Sequence, residues 1–134
     1  VVEPAGYHVY DTADDHSTDT WFGIARGTYL KSGASTITKK DSTHVICTGK
    51  TLAHSTCDRV YVRVYLDQSA TGKSGSWGTV DYWTGTAQNA GTATVSSGSY
   101  KVTTNQYYRA TGAHSVTEGS TTEATDTTTN SLKL

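Results

Sequence analysis

The chain has 134 residues, a formal net charge of -1, 17% charged residues and 34% hydrophobic residues. That length suits one domain with one core, roughly two-thirds of the unfolded surface being buried on folding. The bases are scattered, with Lys39-Lys40 the only adjacent pair, which argues against nucleic-acid binding because counterion release needs clustered Lys and Arg. No apolar run approaches the ~18–20 residues of a membrane-spanning helix. Aromatics make up 10% of the chain and Met is absent. Thr, Tyr, Val and Trp favour strands, and this near-neutral, aromatic-containing composition is unlike that of disordered chains.

In chain order, residues 1–20 read as a flexible acidic arm carrying Asp11, Asp14, Asp15 and Asp19, with no regular period. The domain proper is expected over residues 21–134, starting at the apolar anchor Trp21-Phe22-Gly23-Ile24. A weak strand over 29–39 meets a turn at Lys39-Lys40-Asp41-Ser42, and a second strand covers 43–48. Residues 49–56 read as a loop or hairpin carrying Lys50, Leu52 and His54. The strongest segment follows: Val60, Val62, Val64 and Leu66 alternate with Tyr61, Arg63, Tyr65 and Asp67. That period of two marks a strand with one apolar face. A Gly/Ser turn over 69–76 leads to a strand over 77–86, with Val80 and Tyr82 on one face and Trp77, Thr79, Asp81 and Trp83 on the other. Asn89-Ala90-Gly91 signals a turn, and strands over 92–96, 105–116 and 124–134 complete the chain. About seven strands without a helical period predict an all-β, antiparallel Greek-key sandwich, with a small barrel as the alternative.

Cys47 and Cys57 are the two cysteines. They are either free buried thiols or one local disulfide, and the disulfide is the expectation. A ten-residue loop is easily closed by a hairpin, for about 3 kcal/mol in the chain-entropy model. A low-charge, Thr/Ser/Gly-rich chain also looks extracellular, where disulfides persist. The start Val-Val-Glu-Pro fits a mature secreted or cell-surface protein after removal of a signal peptide.

Tyr61, Arg63 and Tyr65 share one side of the long strand, since alternate residues share a face. Tyr107 and Arg109 on a neighbouring strand would complete an aromatic and Arg patch, the residue types that dominate binding hot spots. The alternative is a solvated face with ordinary cross-strand pairs. Trp77 and Trp83 share parity and could form a sugar-stacking platform, unless one of them fills the core. The acidic arm could bind calcium through its oxygens, but its spacing fails the EF-hand pattern, and no metal or cofactor is expected. The five His are dispersed, and no Gly-x-Ser-x-Gly elbow is present, so no catalytic residue is assigned.

The pieces Val62-Arg63-Val64-Tyr65-Leu66, Trp77-Gly78-Thr79-Val80-Asp81-Tyr82-Trp83 and Tyr107-Tyr108-Arg109, with His114 and Ser120-Thr121-Thr122-Glu123 beyond, carry a resemblance. They are similar to a family of small exported proteins of Gram-positive gut and soil bacteria that has no assigned function. They also resemble immunoglobulin-like and fibronectin-III-like sandwiches, in which a Tyr near the start of the corresponding strand forms a corner hydrogen bond. The resemblance implies fold and export, and one concrete version of it is an immunoglobulin-binding, superantigen-like domain. The resulting expectation is an exported, non-catalytic module that recognises a host or cell-surface protein. The alternatives are a carbohydrate-binding module using exposed Trp, a structural spacer, and a small secreted toxin or inhibitor.

Overall fold

The computed structural model describes residues 1–24 and 28–134. Among them the chain forms nine strands: β1 (Gly6–Thr12), β2 (His16–Gly23), β3 (Leu30–Asp41), β4 (His44–Ser69), β5 (Gly78–Ser96), β6 (Tyr100–Lys101), β7 (Tyr107–Glu118), β8 (Thr121–Thr128) and β9 (Leu132–Lys133). All belong to one antiparallel sheet in the order β1-β2-β3-β4-β7-β8, with β5 and β6 on the other edge of β4 and β9 on β7. The sheet curls into a half-barrel, so that β3 lies against β7 and β8, and β2 against β8.

The curl originates in β4. Its first half pairs with β3 through Leu30↔Ala53 to Asp41↔His44, and its second half pairs with β7 through Arg59↔Thr117 to Ser69↔Tyr107. β5 follows both halves on the opposite edge. Between the pairs Leu52↔Thr92 and Cys57↔Ala90, residues 53–56 face the single residue Gly91. Such an excess bends a strand sharply, and Asn89 takes a left-handed φ of 51° beside it. The arms of the bent ribbon then touch. A Cβ at Gly49 would lie 2.8 Å from the Val62 side chain, and one at Gly85 would run into the Thr94 carbonyl oxygen.

The interior holds two apolar clusters. One contains Ile37, Val45, Cys47, Val64, Leu66, Tyr108, Ala110 and Leu132. The other contains Trp21, Leu30, Cys57, Val60, Val62, Ala93 and Val116. His114 falls along β7 between members of the two, and Thr51 and Ser35 do so along β4 and β3. The His114 ring is buried. Thr127 Oγ1 donates to Ser35 at 2.8 Å, so His114 Nε2–H donates to Thr127 at 2.7 Å and Nδ1 accepts from Thr51 at 2.9 Å. Both ring nitrogens of a neutral imidazole are thereby satisfied. A Cβ at Gly33 would sit 2.5 Å from the His114 ring, so that position must stay bare.

Polar contacts also fasten the opposed layers. Glu123 Oε1 accepts from the Tyr29 and Leu30 amides at 2.6 and 2.7 Å. Buried Asp19 accepts from the Thr128 amide at 2.9 Å and from His8 Nδ1 at 2.9 Å. Val2 bridges β8 in parallel at Glu123. At the start of β7, Tyr108 donates from its hydroxyl to the Thr103 carbonyl at 3.0 Å.

Several expectations are corrected. Cys47 and Cys57 are free, buried thiols. Both lie on β4, in different clusters. Each is taken up by a separate apolar cluster, Cys47 with Ile37, Val45 and Leu66 and Cys57 with Trp21, Leu30 and Val60. The expected loop over 49–56 is strand in β4. The acidic segment over 1–20 carries β1 and β2, a hairpin paired from Gly6↔Gly23 to Thr12↔Ser17. In place of a Greek-key sandwich of about seven strands in separate sheets, there are nine strands in a single sheet, because β4 serves both layers.

Two predictions follow from the interior. Desolvation lowers the pKa of His114 from 6.5 to about 4. The unfolded chain therefore takes up this proton first, and stability is complete above pH 6.5 and declines as pH falls towards 4. The loss is on the order of 3 kcal/mol. Denaturant midpoints across that window should show the slope, and His114→Gln should flatten it. Burial pushes the Cys47 thiol up to about 12, and desolvation also raises that of Cys57. Native protein should resist alkylation, while unfolded protein should take two labels with or without reductant.

Candidate functional site

The second half of β4 turns Val60, Val62, Val64 and Leu66 inward and Tyr61, Arg63 and Tyr65 outward. On β7, Ala113 stands opposite Arg63, Thr111 opposite Tyr65, Arg109 opposite Asp67, and Tyr107 opposite Ser69. Directly opposed residues in a ladder share a face, so Tyr107 and Arg109 extend the Tyr61/Arg63/Tyr65 row. On β5, Thr84 and Tyr82 stand opposite Arg63 and Tyr65. The result is a three-strand outer surface rich in Arg and Tyr.

Arg63 occupies its centre. Its guanidinium lies 4.9 Å from the Tyr82 ring centroid, 5.9 Å from Tyr61 and 6.0 Å from Tyr65. These distances allow cation–π attraction. The Tyr65 hydroxyl, 3.5 Å from Nη1, raises the pKa of Arg63 further, so this group stays cationic. Among the described residues, Arg63 Nε has no hydrogen-bond partner, and it is inaccessible to solvent. Arg59 stacks over the other side of the array, 5.0 Å from the Tyr61 centroid.

A second unit lies beside the first. Asp67 is nearly buried, with Oδ2 accepting from Arg109 Nε and Thr111 Oγ1, both at 3.3 Å, and Oδ1 accepting from Thr79 Oγ1 at 3.0 Å. Arg109 is held under Trp77, 4.3 Å from its ring centroid. Lys133 on β9 lies 5.5 Å from the Tyr107 ring.

Of the residues singled out from sequence, Tyr61, Arg63, Tyr65, Trp77, Tyr107 and Arg109 thus lie together. Trp83 does not. A bulge separates Leu66↔Asp81 from Asp67↔Thr79 and leaves Val80 without an opposite residue. The strand's parity reverses there, so Trp77 and Trp83 lie on opposite faces. Trp83 packs inward against the Val64/Leu66 cluster, with an edge-on contact of 5.2 Å to Tyr100. The same reversal brings Tyr82 onto the outer face, 5.9 Å from Tyr65. Sequence reasoning missed Tyr82 for this reason, and missed Arg59 although its odd number places it in the Tyr61/Arg63 series.

Among the described residues, no three His, Cys, Asp or Glu side chains converge as a metal site. The acidic hairpin spends Asp19 on His8 and Thr128, and Asp15 on His16. A shallow depression of about 560 Å³, lined by Ala34, Thr36, Thr48, Lys50, Thr94 and Ser96, lies at the other end of the sheet. Among the described residues, no helix is long and apolar enough to cross a membrane.

A family model described as a family of unknown function (DUF6147) matches residues 1–132. The chain belongs to that family. No curated protein matches it.

The geometry predicts a specific role for Asp67. Replacing it with Ala would leave Arg109 and two threonine hydroxyls without their shared acceptor. Asp67→Ala should cost about 2 kcal/mol in a denaturant titration. Trp emission should change as well, because Arg109 is no longer anchored under Trp77.

Proposed function

We propose that this member of the family is an exported, non-catalytic recognition module that binds a protein through the outer face of β4, β5 and β7. The observation that carries the reading is the Arg63 guanidinium ringed by Tyr61, Tyr65 and Tyr82 on the outer face. Tyr, Trp and Arg are the residues over-represented in interface hot spots, and here they are held by a rigid sheet. Preorganised side chains lose less conformational entropy on binding. Arg63 and Arg59 leave the face cationic, since its one buried acid, Asp67, is engaged by Arg109. A partner presenting carboxylates beside apolar groups complements it.

A protein partner is favoured over a glycan because Trp83 faces inward, so the two-indole platform expected of a sugar binder is not assembled. Export rests on the low-charge Thr/Ser/Gly composition and on the resemblance to exported bacterial proteins. The disulfide is no longer part of that case.

The test is capture from serum and mucus proteins by immobilised wild-type chain, run beside a glycan array. Arg63→Ala and Tyr82→Ala should each weaken the captured interaction by about 30-fold, or ~2 kcal/mol. Lys40→Ala, on an exposed position of β3, serves as the control and should leave affinity unchanged. Binding to glycans alone, or capture indifferent to both face variants, would overturn the proposal. Silence in both assays would favour a spacer.

A further inference from the structure

The three sheet edges are treated differently. The outer edge of β8 is covered: Val2 pairs with it, and the amides of Thr128 at its end and Asn130 just beyond are taken by Asp19 and Ser17. The outer edge of β5 is interrupted by the bulge at Val80 and by the bend near Gly91. β1 has neither protection. It pairs with β2 without a register shift over all seven residues, and every one of them is exposed. It contains no Lys, no Pro and no bulge, the devices that normally keep an edge strand from pairing. Tyr7, Val9 and Tyr10 are exposed on it, and Phe22 and Ile24 beside it. Tyr7 and Phe22 already pack at 5.6 Å.

The backbone polarity of this edge can be read from its ends. The Ala13 amide donates to His16, and the Ala5 carbonyl accepts from Ile24. Odd-numbered residues of β1 therefore turn their backbone groups towards β2. In an antiparallel ladder these directions alternate, so Gly6, His8, Tyr10 and Thr12 turn theirs outward.

We propose that the occupant of this edge is β1 of a second copy, paired antiparallel about a twofold axis at Val9. In that register the residue numbers of opposed partners sum to 18. Gly6 meets Thr12 and His8 meets Tyr10, each pair twice by symmetry, and all four are residues with outward-facing backbone groups. Every backbone group on the edge finds a partner. On one face Val9 meets Val9, and Tyr7 meets Asp11. On the other the imidazole of His8 meets the phenol of Tyr10, repeating between copies the stack that these two rings make within the strand at 6.0 Å. No like charges are opposed. Sliding the register by one ladder step in either direction shortens the ladder, and it sets His8 against His8 in one case and Tyr10 against Tyr10 in the other. Sliding it further sets Asp11 against Asp11. The self-complementarity of this register argues for a copy of the chain over an unrelated strand.

Sedimentation velocity from about 5 to about 500 µM, spanning dissociation constants from micromolar to near-millimolar, tests the proposal. Wild-type protein should show a concentration-dependent dimer. Amide exchange at His8 and Tyr10 should slow as concentration rises. Val9→Lys places two ammonium groups at the axis, and Tyr10→Pro removes an outward N–H that the β1–β2 ladder does not use. Both variants should sediment as monomers while keeping the wild-type sheet signal in circular dichroism. A wild-type chain that is monomeric throughout, or a dimer that survives both substitutions, would overturn the proposal.

Discussion

The structure depends on the alternation of β4, which is paired along both edges. Val60, Val62, Val64 and Leu66 are fully buried, and ladders to β5 and β7 hold them in register. A slip of one residue would turn that apolar row outward and the Tyr/Arg row inward. The interior of the half-barrel and its cation–aromatic exterior are therefore two consequences of the same constraint. The bend at residues 53–56 extends it, letting one strand belong to both layers and bringing β3 over β7.

Two layers made from one sheet still have to be held at a fixed spacing, and the chain has few large apolar residues for the task. Directional polar contacts make up the difference. His114 links β7 to Thr51 and Thr127, Glu123 takes two amides of the segment entering β3, and Asp19 takes an amide beyond β8. A buried hydrogen bond adds about 1 kcal/mol when made but costs more when left unmade. These contacts therefore disfavour alternative layer packings strongly. The ionisable residues of the inner side are tied into the fold, while Arg59 and Arg63 of the outer side lie over tyrosine rings. This contrast supports locating recognition outside.

The proposed recognition face and the β1 edge lie on different parts of the sheet and draw on different chemistry. The face presents cations over rings with side chains held in place. The edge presents backbone groups flanked by Tyr and Val. Self-pairing at β1 would leave β4, β5 and β7 uncovered and make each assembly bivalent, which raises avidity without any new contact.

Strand content and the burial of one side of residues 60–66 were legible in the sequence, because a period of two in apolar residues has one physical reading beside a solvent boundary. The proximity of Tyr61, Arg63 and Tyr65 was legible for the same reason. Their junction with Tyr107 and Arg109 required the pairing of β7 with β4, which no local pattern specifies. Asn89-Ala90-Gly91 was recognised as a break, but whether it ends a strand or bends one depends on the four residues opposite. Acidic β1 and β2 looked unstructured because Asp lowers strand preference, yet burial of Asp19 against His8 and Thr128 outweighs it.

The remaining differences share a cause. The ten-residue spacing of the cysteines suggested a closed loop, and only the packing of the two halves of β4 places Cys47 and Cys57 in separate clusters. Equal parity suggested two Trp on one face, and only the bulge at Val80 sends Trp83 inward. Alternation, composition and residue type are properties of the chain itself, and they determined an all-β domain with an apolar inner row and a Tyr/Arg outer row. Bends, bulges and strand partners arise when distant segments compete for the same backbone hydrogen bonds, and only the tertiary structure decided those.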